Sequence, residues 1–258
     1  MKLLLSIGTI YGEKLGLMAY VASLAGFDGV EVVLNDIYFL KDIFDILEGL
    51  DSLCPIMAFH APFNVHSYSE KIASILRSIE IAKTFGVDVL VVHPPLRLLD
   101  YRYRKWFRNE FEYKNVSLNI CVELMPFVNF IFFKGSLYDL ANFKELVRFT
   151  HEKNLKIAFD TTHCGTRGIP LIEGFEMLGG IDRIGHVHLS DFAIVNGQFK
   201  EHLFPGEGNL DLGSFLRYLK SVGYKGKVTL EVLPCYFPKD HGKLVEKLVG
   251  FVKFVKEL

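Results

Sequence analysis

Six apolar runs in this chain each stop at an ionisable residue. They are IMAFH, ending at His60, LVVH at His93, NICVE at Glu123, IAFD at Asp160, GHVH at His188 and VTLE at Glu231. Carboxylates and imidazoles are the side chains that hold divalent cations and move protons near neutral pH. Glu123, Asp160 and Glu231, gathered with His188 into one pocket, would repel one another unless a cation neutralised them. A set of three oxygen ligands and one nitrogen suits Mn²⁺, Mg²⁺ or Co²⁺, and Zn²⁺ also fits. His60, His93, His163 and His202 would ring such a centre as supporting groups, or as ligands to further ions of zinc-like character.

What could gather these residues is a repeating strand and helix pattern. Strands are predicted at 3–8, 29–34, 55–60, 87–93, 117–124, 155–160, 184–190 and 227–233. They are short, rich in Val, Ile, Leu and Phe, and lack polar alternation, as expected of strands buried on both faces. Helical patterns separate them: 67–85, with apolar Ile72, Ile75, Leu76, Ile79 and Ala82 on one stripe, then 137–154, then 211–224 capped by Asp211 or Ser214, and a closing amphipathic helix from His241. Strand and helix alternate eight times, which predicts a parallel sheet with helices outside. No GxGxxG turn follows the first strand, so a closed barrel is favoured over an open dinucleotide-binding sheet. The expected fold is α/β, a single (β/α)8 barrel domain spanning 1–258. In that fold the charged strand ends meet at one mouth. Two residues earlier, Ala58, Val91, Cys121, Ala158, His186 and Thr229 would form the layer below. His186 reads there as a hydrogen-bonded core histidine. The connections 124–137 and 191–210 would lie over the mouth.

Bulk properties narrow the partners. Net charge is −1, with no basic run long enough to mark a nucleic-acid surface. RYRKWFR (102–108) is a basic-aromatic stretch that reads as a solvated helix face. No apolar stretch is long enough to span a membrane, and MKLLLSIGTIYG reads as a first strand rather than a signal peptide. The four cysteines show no CxxC pairing, which suits reduced thiols in a cytoplasmic protein. The apolar content of 97–115 and 124–137 fits a partner surface, as in an oligomer, or a lid over the mouth.

The motifs FHAPF (59–63), VVHPP (91–95), VELMP (122–126), FDTTH (159–163), HVHLSD (186–191), HLFPGEGNLD (202–211) and TLEVLP (229–234) run in order along most of the chain. As a set they resemble the xylose-isomerase-like TIM barrels, a superfamily of sugar isomerases and epimerases together with the endonuclease IV group (AP endonuclease family 2). The resemblance implies a metal held by Glu123, Asp160, His188 and Glu231, with His163 contacting substrate. In the endonuclease IV group it also implies metal roles for His60, His93 and His202. There Lys200 stands where that group has an Asp, and an ammonium cannot ligate a metal.

Two functions follow. The first is a metal-dependent isomerase or epimerase of a sugar or sugar phosphate, working through a metal-stabilised enediolate. Glu123 and Glu231 would exchange the proton, His163 would steady the oxyanion, and Lys200 and Arg167 would bind an anionic group. The alternative is an endonuclease IV-like phosphodiesterase on abasic DNA, with Phe63 as a base-stacking wedge. Lys200 and the charge balance turn the reading toward a small carbohydrate substrate.

Overall fold

The computed structural model describes residues 1–8, 15–35, 37–112, 117–129 and 134–258. Eight parallel strands close into a barrel in sequential order: β1 Lys2–Ile7, β2 Gly29–Val33, β3 Ile56–His60, β4 Val89–Val92, β5 Asn119–Glu123, β6 Lys156–Asp160, β7 Ile184–Leu189 and β8 Lys227–Leu230. The ring is completed where the first and last strands pair, with Leu4 opposite Thr229. Helices stand between the strands, so the fold is a single (β/α)8 barrel.

Near-continuous apolar runs form these strands because both faces are covered. All five residues of β2 and all four of β4 are buried. One face packs outward on the helices. Phe159 of β6, for example, meets Phe175 edge-on at 5.6 Å and Phe215 at 5.4 Å. The other face fills the barrel, where Leu4, Ala58, Val89, Val91, Cys121 and Ala158 form a separate buried cluster. These interior side chains are small to medium, so space remains above them for the longer ionisable groups at the strand ends. At the opposite end Lys227 reaches across to the Met57 carbonyl and to Asp88, filling the barrel floor.

The helix over 67–85 appears as Tyr68–Thr84, opened by a capping box in which Ser67 and Glu70 satisfy each other's backbone N–H groups. Asp211 caps Leu212–Ser221, accepting from Ser214 N, and Asp240 caps His241–Glu257 in the same way. One expectation needs correction. The helix predicted from 137 begins only at Phe143, because Asn142 accepts from Lys144 N and Glu145 N and so starts it there. The preceding residues instead bridge back to the loop after β4, Tyr138 to Leu96. The RYRKWFR stretch is amphipathic: Arg102 and Lys105 are exposed, as expected of a solvated helix face, whereas Tyr103 and Phe107 are buried and Arg108 is bound by Asp139 and Glu145. It runs as Tyr101–Lys105 and continues as a π-helical turn, Trp106–Glu110.

The long connection after β7 is an antiparallel hairpin, Asp191–Val195 with Gln198–Leu203. Residues 113–116 and 130–133 of the 97–115 and 124–137 stretches fall outside the described residues; among the described ones Leu98, Leu99 and Tyr101 are exposed apolar side chains. All four cysteines are free, and three are buried. No helix among the described residues is long and apolar enough to cross a membrane.

Candidate metal centre

Side chains in a strand alternate between faces, so each strand-end residue that shares a direction with the interior cluster must point into the mouth. Glu123, Asp160, His188 and Glu231 do so, and each offers a ligand atom within 4.8 Å of the others. Asp160 and His188 are fully buried, whereas Glu231 keeps 13% of its side chain exposed. His188 Nδ1 lies 3.1 Å from Glu231 Oε2, 3.4 Å from Glu123 Oε1 and 4.0 Å from Asp160 Oδ2.

Two oxygens of this set, Asp160 Oδ2 and Glu231 Oε2, are buried with no hydrogen-bond partner. Buried carboxylate oxygens are normally satisfied, and an ion is one of the few things that would satisfy these. The three carboxylates and the Nδ1 of one imidazole therefore fit a divalent cation, in number and in donor chemistry. The other Asp160 oxygen is already used. Oδ1 accepts from His163 N at 2.6 Å and caps the short helix Thr161–Thr166, which fixes where His163 stands.

Glu123 is shared. Its Oε2 lies 2.8 Å from His93 Nε2 and 3.3 Å from His60 Nε2, and its Oε1 lies 3.3 Å from His163 Nδ1. His60 Nδ1 donates to the Ala61 carbonyl, which leaves its Nε2 for the site. His60, His93 and Glu123 make a second ligand-competent group, and Asp160, His163 and His202 a third. His202 takes a left-handed φ of 51°, which a non-glycine residue rarely does, and its Nδ1 lies 3.2 Å from Ser190 Oγ.

The charges respond to one another. Burial pushes the Glu123 carboxyl up, but His93, His163 and His188 outweigh it and hold it well below the ordinary value. Asp160 goes the other way, raised by burial despite His163 and His202, with Glu231 and Glu123 adding to the rise. Burial lowers His163, yet Asp160 and Glu123 carry it up to about 9.

Above these groups opens a cavity of about 250 Å³, lined by Phe63, His93, Glu123, Met125, Tyr138, His163, His202 and Glu231 among others. Phe63 stacks on His93 at 5.1 Å, and its backbone N–H donates to Asn35 Oδ1.

Two residues expected at this mouth do not reach it. Arg167 is a brace. It donates to the Ala141 and Met125 carbonyls at 2.8 and 2.6 Å, and its guanidinium lies over the Phe127 and Phe143 rings. We expect Arg167→Met to lower stability by about 2 kcal/mol in urea denaturation. It should weaken phosphorylated and plain substrates alike; a selective loss for the phosphorylated ones would restore its anion-binding role. Lys200 sits in the hairpin opposite Ala193 and is not among the cavity-lining residues. The register shifts between Asp191 and Ala193, and His202 turns left-handed, so the simple alternation that would have put Lys200 beside His202 is broken.

Three residues were missed. Tyr138 was hidden inside a predicted helix. Glu31 sits in the middle of the apolar strand GVEVV rather than at its end; a carboxylate inside a run buried on both faces was itself the signal. Asp191 was passed over as part of HLSD. It is buried, and it accepts from the backbone N–H groups of Phe192, Gly206, Gly208 and Leu210. It thereby holds the PGEGN segment (205–209) against the mouth. A Cβ at Gly208 would collide with Asp191 Oδ1 and the Phe192 carbonyl, so only glycine allows that approach. Asp191→Ala should cost about 3 kcal/mol or more in chemical denaturation, because it strands several amides at once.

The profile of xylose isomerase-like TIM barrels matches residues 19–251. The chain belongs to this family. An uncharacterized protein of Methanocaldococcus jannaschii is 30% identical over 230 residues, covering 80% of this chain and 74% of that one. Among solved structures, a D-tagatose 3-epimerase-like protein superposes with a TM-score of 0.67 at 25% identity, covering 100% of this chain and 99% of the other. Endonuclease IV from Thermus thermophilus superposes with a TM-score of 0.68 at 17% identity, covering 100% of both chains, a likeness of fold. This xylose isomerase-like barrel thus shares its architecture with both sugar epimerases and endonucleases.

Proposed function

We propose that the protein is a divalent-metal-dependent isomerase or epimerase of a sugar or sugar phosphate, acting in the cytoplasm. One observation carries this reading. Of the four ligand-competent residues, Asp160 and His188 are sealed beneath the site, while Glu123 and Glu231 both line the open cavity. Two carboxylates on non-neighbouring strands therefore face the same small space. A divalent ion held there (Mn²⁺, Mg²⁺, Co²⁺ or Zn²⁺) would polarise a substrate carbonyl and the hydroxyl beside it. One carboxylate takes the proton from the carbon next to the carbonyl. The other returns a proton from the opposite side, inverting that carbon, or the first delivers it to the neighbouring carbon and isomerises the sugar. His163, which lines the same cavity and is held by donation of its Nδ1–H to the Leu124 carbonyl at 2.8 Å, would steady the developing negative oxygen. Phe63, Met125 and Tyr138 offer the apolar walls on which a sugar ring face can rest.

The test is solvent exchange. The metal-loaded protein, incubated in D2O with ketoses and their phosphates, should place deuterium next to the carbonyl, read by proton NMR. Absence of exchange across pentuloses, hexuloses and their phosphates would end this reading.

A second reading is supported by the overlap of three ligand-competent groups through Glu123 and Asp160. It is a phosphodiesterase of the endonuclease IV kind. Its marks would be three bound metal equivalents and cleavage of a duplex carrying an abasic site.

A further inference from the structure

Glu31 is a fully buried carboxylate that the proton transfer above does not use. It stands on β2, and it crosses the barrel interior to reach two imidazoles on β7. Its Oε2 lies 2.7 Å from His186 Nε2 and 3.3 Å from His188 Nε2, and its Oε1 lies 3.1 Å from His188 Nε2. Thr229 adds its hydroxyl, 3.4 Å from Glu31 Oε2 and 3.0 Å from His186 Nε2. Ser6, Glu31's partner on β1, and Thr229 on β8 are small, and they leave the path between β2 and β7 open.

An imidazole has two distinct nitrogens, and what one binds decides what the other offers. His188 presents Nε2 to Glu31 and Nδ1 to Glu123, Asp160 and Glu231. A carboxylate accepts hydrogen bonds and never donates them while ionised. Hydrogen bonding to Glu31 therefore keeps a proton on Nε2. Nδ1 is within reach of Glu123 Oε1 at 3.4 Å, and a cation seated among the carboxylate trio would replace that contact and meet the lone pair that a neutral ring then carries on Nδ1. We propose that Glu31 is the positioning residue of the metal centre, fixing the His188 ring so that Nδ1 is its metal-binding nitrogen. His186 and Thr229 hold Glu31 in place for that task. The inference rests on the metal centre of the proposed function, but not on its reaction.

The substitution Glu31→Gln separates this from simple packing. The amide keeps the size of the side chain but carries one oxygen and one NH2 group. In either orientation its NH2 group lies against His188 Nε2, in the place of an oxygen 3.1 or 3.3 Å away, and an NH2 donates rather than accepts, so a proton on Nε2 is no longer favoured. Zn²⁺ alone serves as the probe, with affinity measured by competition against a chelating dye. In the wild-type protein loaded with Zn²⁺, long-range ¹H–¹⁵N correlations of labelled histidine should show His188 with Nε2–H and a metal-bound Nδ1. Glu31→Gln should weaken Zn²⁺ by about 10- to 100-fold, the usual effect of losing the partner of a metal-bound histidine, while the metal-free protein keeps a single cooperative melting transition, at a lower temperature because two buried imidazoles now face an amide. The wild-type spectrum needs no variant to fold, and coordination through Nε2 there would overturn the proposal. Unchanged affinity in Glu31→Gln with Nε2–H retained would overturn it while leaving the metal centre intact. Loss of a whole equivalent of Zn²⁺ would make Glu31 a ligand and refute its positioning role. A wild-type protein that binds no Zn²⁺ would remove the metal centre itself, and the role of Glu31 with it.

Discussion

Glu231→Gln should fold as the wild-type protein does and lose about 10³-fold in turnover, the scale expected when a positioned acid–base group is removed. Glu231 Oε2 is buried and makes no hydrogen bond, so the amide gives up only the charge contact with His188 Nδ1 at 3.1 Å. The charge that disappears is one of those that burial and crowding set against Asp160. Glu123→Gln should lose turnover to a similar degree, but at a different cost to the fold. Glu123 is the common partner of His60, His93 and His163. Removing its charge leaves those buried imidazoles facing an amide, at about 3 kcal/mol. Deuterium exchange and urea midpoints, measured on both variants, check the pair of outcomes. Exchange at the wild-type rate in either variant would strip that glutamate of its assigned part. Equal stability losses in the two would show that the crowding has been misjudged.

Removing the metal should be the largest perturbation short of unfolding. A ligand that binds only the folded state at about a thousand times its Kd adds roughly 4 kcal/mol. For a chain of this size, each kcal/mol moves Tm by about 2–4 °C, so chelation should lower Tm by about 10 °C. The pH dependence has a definite sign. Asp160 is raised in the folded protein, by burial first and then by Glu231 and Glu123, and this stabilising proton is lost as pH rises. His163 is raised from 6.5 to about 9, so its contribution is complete below 6.5 and disappears as pH climbs through 9. The metal-free protein therefore weakens toward alkaline pH. Metal binding strengthens over the same range, because the ligand His188, which burial lowers but Glu231 and Glu31 raise well above its ordinary value, must give up its Nδ1 proton, and because His163 beside the site loses its charge. The Tm difference between loaded and chelated protein should widen between about pH 6.5 and 9, as scanning calorimetry would show. A gap that narrows would contradict the ligand assignment.

The barrel was legible because its strands are apolar on both faces and its helices are not. All eight strands lie within a few residues of where the sequence put them. The four-residue constellation Glu123, Asp160, His188 and Glu231 was legible for a related reason. A charged residue closing an apolar strand has only the mouth to enter, and a barrel converges its strand ends. What escaped was set by contacts distant in sequence. Arg167 looked like a loop cation, but the carbonyls of Ala141 and Met125 and the rings of Phe127 and Phe143 claim it. Lys200 reads in the sequence as an anion-binding cation, but a register shift and the left-handed His202 leave it out of the cavity lining. Glu31 escaped because its partners lie across the barrel, 155 and 157 residues along the chain, farther than any local pattern reaches.

The pairing of β1 with β8 has a consequence for the order of assembly during synthesis. Glu123, Asp160, His188 and Glu231 come from β5, β6, β7 and the end of β8, and the ring closes only when Leu4 meets Thr229. Contacts between the first and last strands are the slowest kind for a chain to find. While a ribosome is still translating the strands before β8, the nascent chain holds part of the ligand set and no closed wall around it. Cation capture should therefore wait until β8 has emerged and paired, and a loaded site would certify that the last strand has docked on the first.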